Sequence, residues 1–215
     1  MSTRPTKRVD VESLLRQRLI TGQIRPDSRL SIRTLAAEFG VSAMPVREAL
    51  GRLAADGALV IHEKKRIAVP PLTEERFEEI RLMRELVEPE AAVRALSAIG
   101  PTVMHKLKRF DAAIDLAMQT KDVERYMKAN ASFHFTLYNA HPQPVMQRLI
   151  ETLWLQTGPF QGYVIHQWGV QNLRDQHEVA LEAIQRRQSA KLKAAIKQDI
   201  RDGMRLIREH LMQGR

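Results

Sequence analysis

The chain alternates short apolar series at helical spacing with brief turn-forming breaks. Val11, Leu14, Leu15, Leu19 and Ile20 share one face of a helix over residues 9–21, which Gly22 closes. Residues 24–28, Ile-Arg-Pro-Asp-Ser, read as a turn. Ile32, Leu35, Ala36 and Phe39 then fall on one helix face, and Val46, Ala49, Leu50 and Leu53 repeat that spacing after Gly40. Gly40 suits the left-handed residue that ends a helix, with Val41 packing the corner. Ser42 is placed to cap the next helix, and Pro45 falls in its first turn, where a missing N–H costs little. Two short helices around a tight turn form a helix-turn-helix, whose second helix enters the DNA major groove. Ser42, Ala43, Met44 and Arg47 stand at the leading end of that helix, the face DNA would meet.

After Gly57 the period changes. Residues 58–62 and 66–69 are short β-like runs around a charged tip, which predicts a β-hairpin wing with Lys64, Lys65 and Arg66 reaching phosphates. A plain surface hairpin accounts for the same pattern. Pro70 and Pro71 stiffen a linker at 71–73, and from residue 74 only helices are predicted. Thr73 caps a helix that opens on Glu74 and Glu75 and runs to about residue 99. Its apolar series is Phe77, Ile80, Leu82, Met83, Leu86 and Val87, and Pro89 marks a kink. Further helices are expected at 101–119, 122–140 and 145–157, the last broken by Gly158-Pro159. A short piece at 160–166 and a hairpin of 172–187 with 189–213 complete the chain. The fold expected is mainly α: an N-terminal winged helix-turn-helix, three helices plus the wing, over residues 1–70, then an all-helical antiparallel bundle over 74–215.

Composition agrees. Aromatics make up 5% of the 215 residues while hydrophobic residues reach 44%, enough to fill sizeable helical cores. The absence of cysteine excludes disulfides and thiolate metal sites. No apolar run reaches membrane-spanning length and the polar start does not read as a signal peptide, so a cytoplasmic protein with no membrane partner is expected. The net charge is +9, and residues 1–70 carry 13 Lys and Arg against 7 Asp and Glu. The excess therefore gathers beside the helix-turn-helix, together with a basic arm at residues 1–8, which suits a polyanion partner.

The run GVSAMPVREALGRLAADGAL, residues 40–59, resembles the core of the GntR family of bacterial winged-helix transcription regulators, in particular its FadR-like branch. Pro45-Val46-Arg47-Glu48-Ala49-Leu50, with Leu53 and Gly57, carries the match. The helical succession beyond resembles that branch's FCD effector-binding domain, with Arg84 to Pro89 and Ser132-Phe133-His134 at matching places. The resemblance implies a homodimer on double-stranded operator DNA at an inverted repeat, holding a small carboxylate-type effector. It also implies readout by Arg33, Ser42 and Arg47, whereas Ala43 and Met44 depart from the family's more polar choices. The glycine usual near the wing tip is missing here.

Asn130 and His134 stand one turn apart on one helix face. His177 opens the next-to-last helix, and Asp199 sits midway along its antiparallel partner, at a level the two can share. The family resemblance makes Asn130, His134 and His177 three of four metal positions, with Asp199 where a histidine is usual. That set suits Zn²⁺, Ni²⁺ or Mn²⁺. A lone histidine is more often a hydrogen-bonded core residue, so the reading rests on the set. Arg84 is the candidate anchor for an acidic effector, and a surface Arg–Glu pair explains its spacing to Glu88 equally. Trp154, Gln156 and Tyr163 are candidates for the pocket wall. Two other readings remain open: a metal-dependent enzyme tethered to DNA, and a DNA-binding dimer with an empty pocket.

Overall fold

A computed structural model describes residues 10–26, 28–62, 66–169 and 176–211; the arm at 1–8, the wing-tip Lys64 and Lys65, and residues 172–175 lie outside them. Helix α1 (Val11–Ile20) is capped by Asp10, whose carboxylate accepts from Ser13 N. It buries Val11, Leu15 and Leu19, but Leu14 points outward, so the apolar face is narrower than its sequence suggests. Helices α2 (Ile32–Phe39) and α3 (Ala43–Ala55) form the helix-turn-helix. Gly40 is left-handed at φ 65°, and the N–H groups of Gly40 and Val41 return to Ala37 O and Ala36 O, which closes α2.

Ser42 precedes α3 but its hydroxyl caps nothing. Pro45 removes one of its two usual partners. A capping oxygen accepts from the second or third helical N–H, and the third residue of α3 is Pro45, which has none. Strands β2 (Val60–Ile61) and β3 (Ile67–Ala68) make the wing, closed by His62 N donating to Arg66 O. A third strand, β1 (Arg29–Leu30), pairs antiparallel with β3 in the order β1-β3-β2, where the sequence predicts strands only in the wing.

Thr73 caps α4 (Glu74–Ala95), which passes through Pro89 and tightens into a 3-10 turn at Leu96–Ala98. Its inner face is unusual. Arg84, Glu85 and Glu88 are buried, whereas Leu82 and Leu86 are 52% and 57% exposed. Helices α5 (Pro101–Thr120) and α6 (Val123–Tyr138) follow, then α7 (Pro144–Trp168).

Helix α7 is continuous through Gly158-Pro159, against the expected break. The glycine serves contact instead. A Cβ on Gly158 would lie 2.4 Å from Leu19 O and 2.6 Å from Ile20 O, and one on Gly162 would lie 2.6 Å from Gly22 Cα. The end of α1 thus seats directly on the backbone of α7, joining the two halves. Beside it, Gln156 donates to Asp56 O at 3.1 Å and accepts from Arg76 at 2.9 Å. Helices α8 (His177–Gln185) and α9 (Ser189–Leu211) form the final hairpin. Arg187 turns it at φ 56°, and its guanidinium donates to Leu96 O and Ile99 O, pinning the hairpin to the end of α4.

Candidate DNA-reading head and buried polar site

The leading end of α3 is open to solvent. Ser42, Ala43, Met44 and Arg47 are all exposed, as are Arg33 on α2 and Arg66 at the base of the wing. Arg16, Arg18 and Arg52 are engaged inside the head by Asp56, Glu38 and Glu12. Arg25, Arg29, Arg33, Arg47 and Arg66 make no ion pair among the described residues. The cations left available surround the helix-turn-helix and wing, as phosphate contact requires.

In the helical half, α6 supplies His134, the start of α8 supplies His177 and α9 supplies Asp199. The hairpin turn at Arg187 brings the last two level, as the spacing implied. His134 Nε2 lies 3.1 Å from Asp199 Oδ2 and 3.2 Å from His177 Nε2, and His177 Nε2 lies 3.9 Å from Asp199 Oδ1. Among the described residues these three offer ligand atoms within 4.8 Å of one another. Both histidines are almost wholly buried. Asn130, also buried, stands one turn before His134 on the same helix. Burial alone would raise the Asp199 carboxyl. The neighbouring His177 and the hydrogen bond from His134 outweigh it and hold the group at about 2.

These donors suit a first-row divalent ion. Ligands at about 2.0–2.2 Å in a tetrahedron stand roughly 3.2–3.6 Å apart, close to the separations here. Two imidazole nitrogens and a carboxylate crowded together away from water call for a cation among them, either a proton or a metal.

Arg84 does not stand free. Its Nε donates to Glu88 Oε1 at 2.5 Å, a second nitrogen lies 3.5 Å from Thr157 Oγ1, and the guanidinium stacks 4.8 Å from the Trp154 ring. Burial disfavours its charge, but the facing Glu88 raises its pKa on balance. Glu88 is the hub that sequence reasoning passed over. Its Oε2 also accepts from Tyr138 OH at 2.9 Å and Trp154 Nε1 at 3.1 Å, and the Tyr138 oxygen lies 3.0 Å from His134 Nδ1. Burial, and then the charge of Glu88, push the Tyr138 phenol well above its usual range. The His134-x₃-Tyr138 spacing was the available signal, one turn along the same face. Trp154 is therefore part of this network. Gln156 belongs to the junction between the halves, and Tyr163 is only half-buried. An open groove of about 1280 Å³ between α1 and helices α6 and α7 includes none of these polar-site residues.

Comparison with known proteins shows what the chain resembles. The family description "Bacterial regulatory proteins, gntR family" matches residues 7–69, and "FCD domain" matches residues 79–202. The HTH-type transcriptional regulator McbR of Escherichia coli K12 is 29% identical over 79% of this chain and 77% of its own length. The gluconate operon transcriptional repressor of Bacillus subtilis 168 is 26% identical over 87% of this chain and 79% of its own. In fold, the solved structure of E. coli McbR/YncC superposes with a TM-score of 0.87 at 24% identity, over 93% of this chain and 95% of that one. A GntR-family regulator from Pseudomonas syringae pv. tomato DC3000 gives 0.59 at 24% identity, over 95% and 85%. No described helix is long and apolar enough to cross a membrane.

Proposed function

The chain belongs to the GntR family of bacterial regulatory proteins and carries an FCD domain, and from that premise we propose that it reads an inverted-repeat operator as a homodimer and responds to a small carboxylate at a metal held by His134, His177 and Asp199. Its class is that of a ligand-responsive, DNA-binding transcription regulator, and the relatives are named as regulators, not as enzymes.

The observation that carries the effector reading is the buried convergence of His134, His177 and Asp199. Asn130 joins them as a candidate fourth donor from α6. Zn²⁺, Ni²⁺ and Mn²⁺ accept such a set, and an ion there supplies a fixed positive charge that polarises and anchors an anion. Neutral imidazoles, an amide and one carboxylate leave a divalent ion with one unit of positive charge. Arg84 and Glu88 cancel each other nearby. A monocarboxylate brings the count to zero, so an organic acid fits better than a neutral ligand. Arg84 enters this reading as a cation shared with Glu88 at the wall of the site.

In the head, Arg33, Ser42 and Arg47 are proposed to read bases, flanked by Ala43 and Met44. Lys64, Lys65 and Arg66 hold phosphates. Helix α7 links the two ends, because Trp154 touches the Glu88 network while Gln156, Gly158 and Gly162 touch the head.

Mass spectrometry of gently purified protein, with metal analysis of the same sample, tests the ligand and the ion together. Zn²⁺ or Ni²⁺ should raise the unfolding temperature of the parent but not of the His134→Ala, His177→Ala double variant, which should still bind operator. A double variant that keeps both metal and effector responses refutes this placement, and a parent that answers to neither metal nor acid leaves a DNA-binding dimer with an empty pocket. Selection from random duplexes should return a palindrome; unrelated sequences lost at moderate salt would reduce the head to a polyanion binder.

A further inference from the structure

The buried chain Arg84–Glu88–Tyr138–His134 has a direction, set by counting protons. Arg84 Nε donates to Glu88 Oε1, while Trp154 Nε1 and Tyr138 OH both converge on Oε2. An indole N–H is a donor only, and so is a guanidinium. The Glu88 carboxylate opposite that guanidinium, with donors on both oxygens, has only acceptor capacity to offer. The single Tyr138 proton therefore goes to Glu88. The Tyr138 oxygen is left facing His134 Nδ1 at 3.0 Å with lone pairs alone. Two lone pairs at that distance repel, so Nδ1 must carry hydrogen.

From this we infer that Tyr138, held by Glu88 and Arg84, is a positioning residue that accepts the His134 Nδ1 hydrogen and aims Nε2 at His177 and Asp199, where Nε2 donates to Asp199 until a metal takes that place. The inference deepens the metal reading above and rests on it. The donor order explains two buried features that neither the DNA head nor the ligand set requires. One is the fully buried Tyr138 hydroxyl. The other is an Arg84–Glu88 pair sunk in a helical core, where leucines of the same helix face outward. A ligating histidine commonly gives its second nitrogen to a carboxylate, carbonyl or water, which orients the ring and raises its basicity. Here a phenol stands between the ring and the Glu88 carboxylate and relays that function.

The test uses the full-length protein labelled with ¹⁵N-histidine, observed metal-free in mildly alkaline buffer and again loaded with Zn²⁺. In the parent, His134 should show hydrogen on Nδ1 in both states, with Nε2 shifted on adding zinc. Tyr138→Phe keeps the ring and removes the acceptor. It should redistribute the metal-free ring toward Nε2–H and weaken Zn²⁺ binding by about 10–100-fold. A merely structural hydroxyl would lower thermal stability yet leave both tautomer and zinc affinity unchanged, and that result overturns the inference. So does a metal-free parent ring that carries no hydrogen on Nδ1. If the parent takes up no zinc, the metal reading fails separately, and the metal-free spectra of parent and variant still decide the tautomer.

Discussion

Gly158→Ala separates contact from helix propensity, because the two push stability in opposite directions. Gly158 lies inside α7, and replacing an interior helical glycine by alanine ordinarily gains roughly 1 kcal/mol. Here the new methyl would stand 2.4 Å from Leu19 O and 2.6 Å from Ile20 O. Both are backbone atoms of the α1 terminus, with no flexible side chain to swing aside. Overpacking of this kind costs about 1–3 kcal/mol, and two carbonyls inside contact distance put it at the upper end. The net expectation is a loss of about 2 kcal/mol, or a fall of roughly 4–8 °C in Tm for a chain of this size. Gly203→Ala is the matched control. It too lies within a helix of the same bundle, but its Cβ meets only Gln161 Nε2 at an ordinary 3.7 Å. That variant should gain up to about 1 kcal/mol. Thermal and urea unfolding of both, with hydrogen exchange to locate the damage, should show faster exchange in α1 and α3 of Gly158→Ala. If Gly158→Ala is as stable as Gly203→Ala, the seating of α1 on α7 is not as close as described and the reasoning fails.

Ser42→Ala should leave stability within about 0.5 kcal/mol, because the hydroxyl caps nothing, yet weaken operator binding; Thr73→Ala, which removes a true cap, should cost about 1 kcal/mol in unfolding and spare DNA affinity. Arg33→Ala and Arg47→Ala should each lose about 1–3 kcal/mol on the selected operator and relax one base position, whereas Arg66→Ala, Lys64→Ala and Lys65→Ala should weaken all sequences alike and flatten the salt dependence. Equal sequence-blind losses in gel-shift titrations of all five would show the arginines to be misassigned. In metal-free protein, Asp199 titrates at about 2 when folded against its usual 3.8, so its contribution is complete above 3.8 and disappears as pH falls toward 2. Acid unfolding of Asp199→Asn should lack that share of the acid limb, on the order of 2 kcal/mol; superimposable acid limbs would contradict it.

The architecture was legible wherever a single periodicity sufficed. The helix-turn-helix showed itself in Leu35, Ala36, Val46, Ala49, Leu50 and Leu53, all buried as spaced. Helix rise and one short turn put His177 level with Asp199, whereas the family resemblance, not spacing, was what placed His134 with them. What escaped were features decided by a partner distant in sequence. Strand β1 is two residues long and exists only because β3 offers it an edge. Gly158-Pro159 carries the local signature of a break, and only the backbone of α1 across the junction gives the glycine another use. Leu82 and Leu86 read as core by composition, yet α4 turns its charged residues inward because Glu88 finds Arg84, Tyr138 and Trp154 there. Likewise the expected Ser42 cap is absent, and Pro45 at the third helical position offers it no N–H.

The seating of α1 also constrains how a ligand signal can reach the operator. Trp154 and Thr157 meet the Glu88–Arg84 network on one side of α7, and one residue away Gln156 and Gly158 hold the head on another. Backbone packed on backbone at Gly158 and Gly162 leaves no soft layer between them, so the head has little freedom to rotate against α7 within one chain. A ligand that prefers one placement of Trp154 must then carry α7 and its head as a unit. If the chain reads an inverted repeat as a homodimer, as proposed above, the operator senses that motion only through the distance and angle between two such units. In that proposed assembly, an effector's differential affinity for two arrangements of the units sets the whole response. A variant that loosens the junction, such as Gly158→Ala, should reduce the effector's influence on operator affinity more than it reduces either binding event alone.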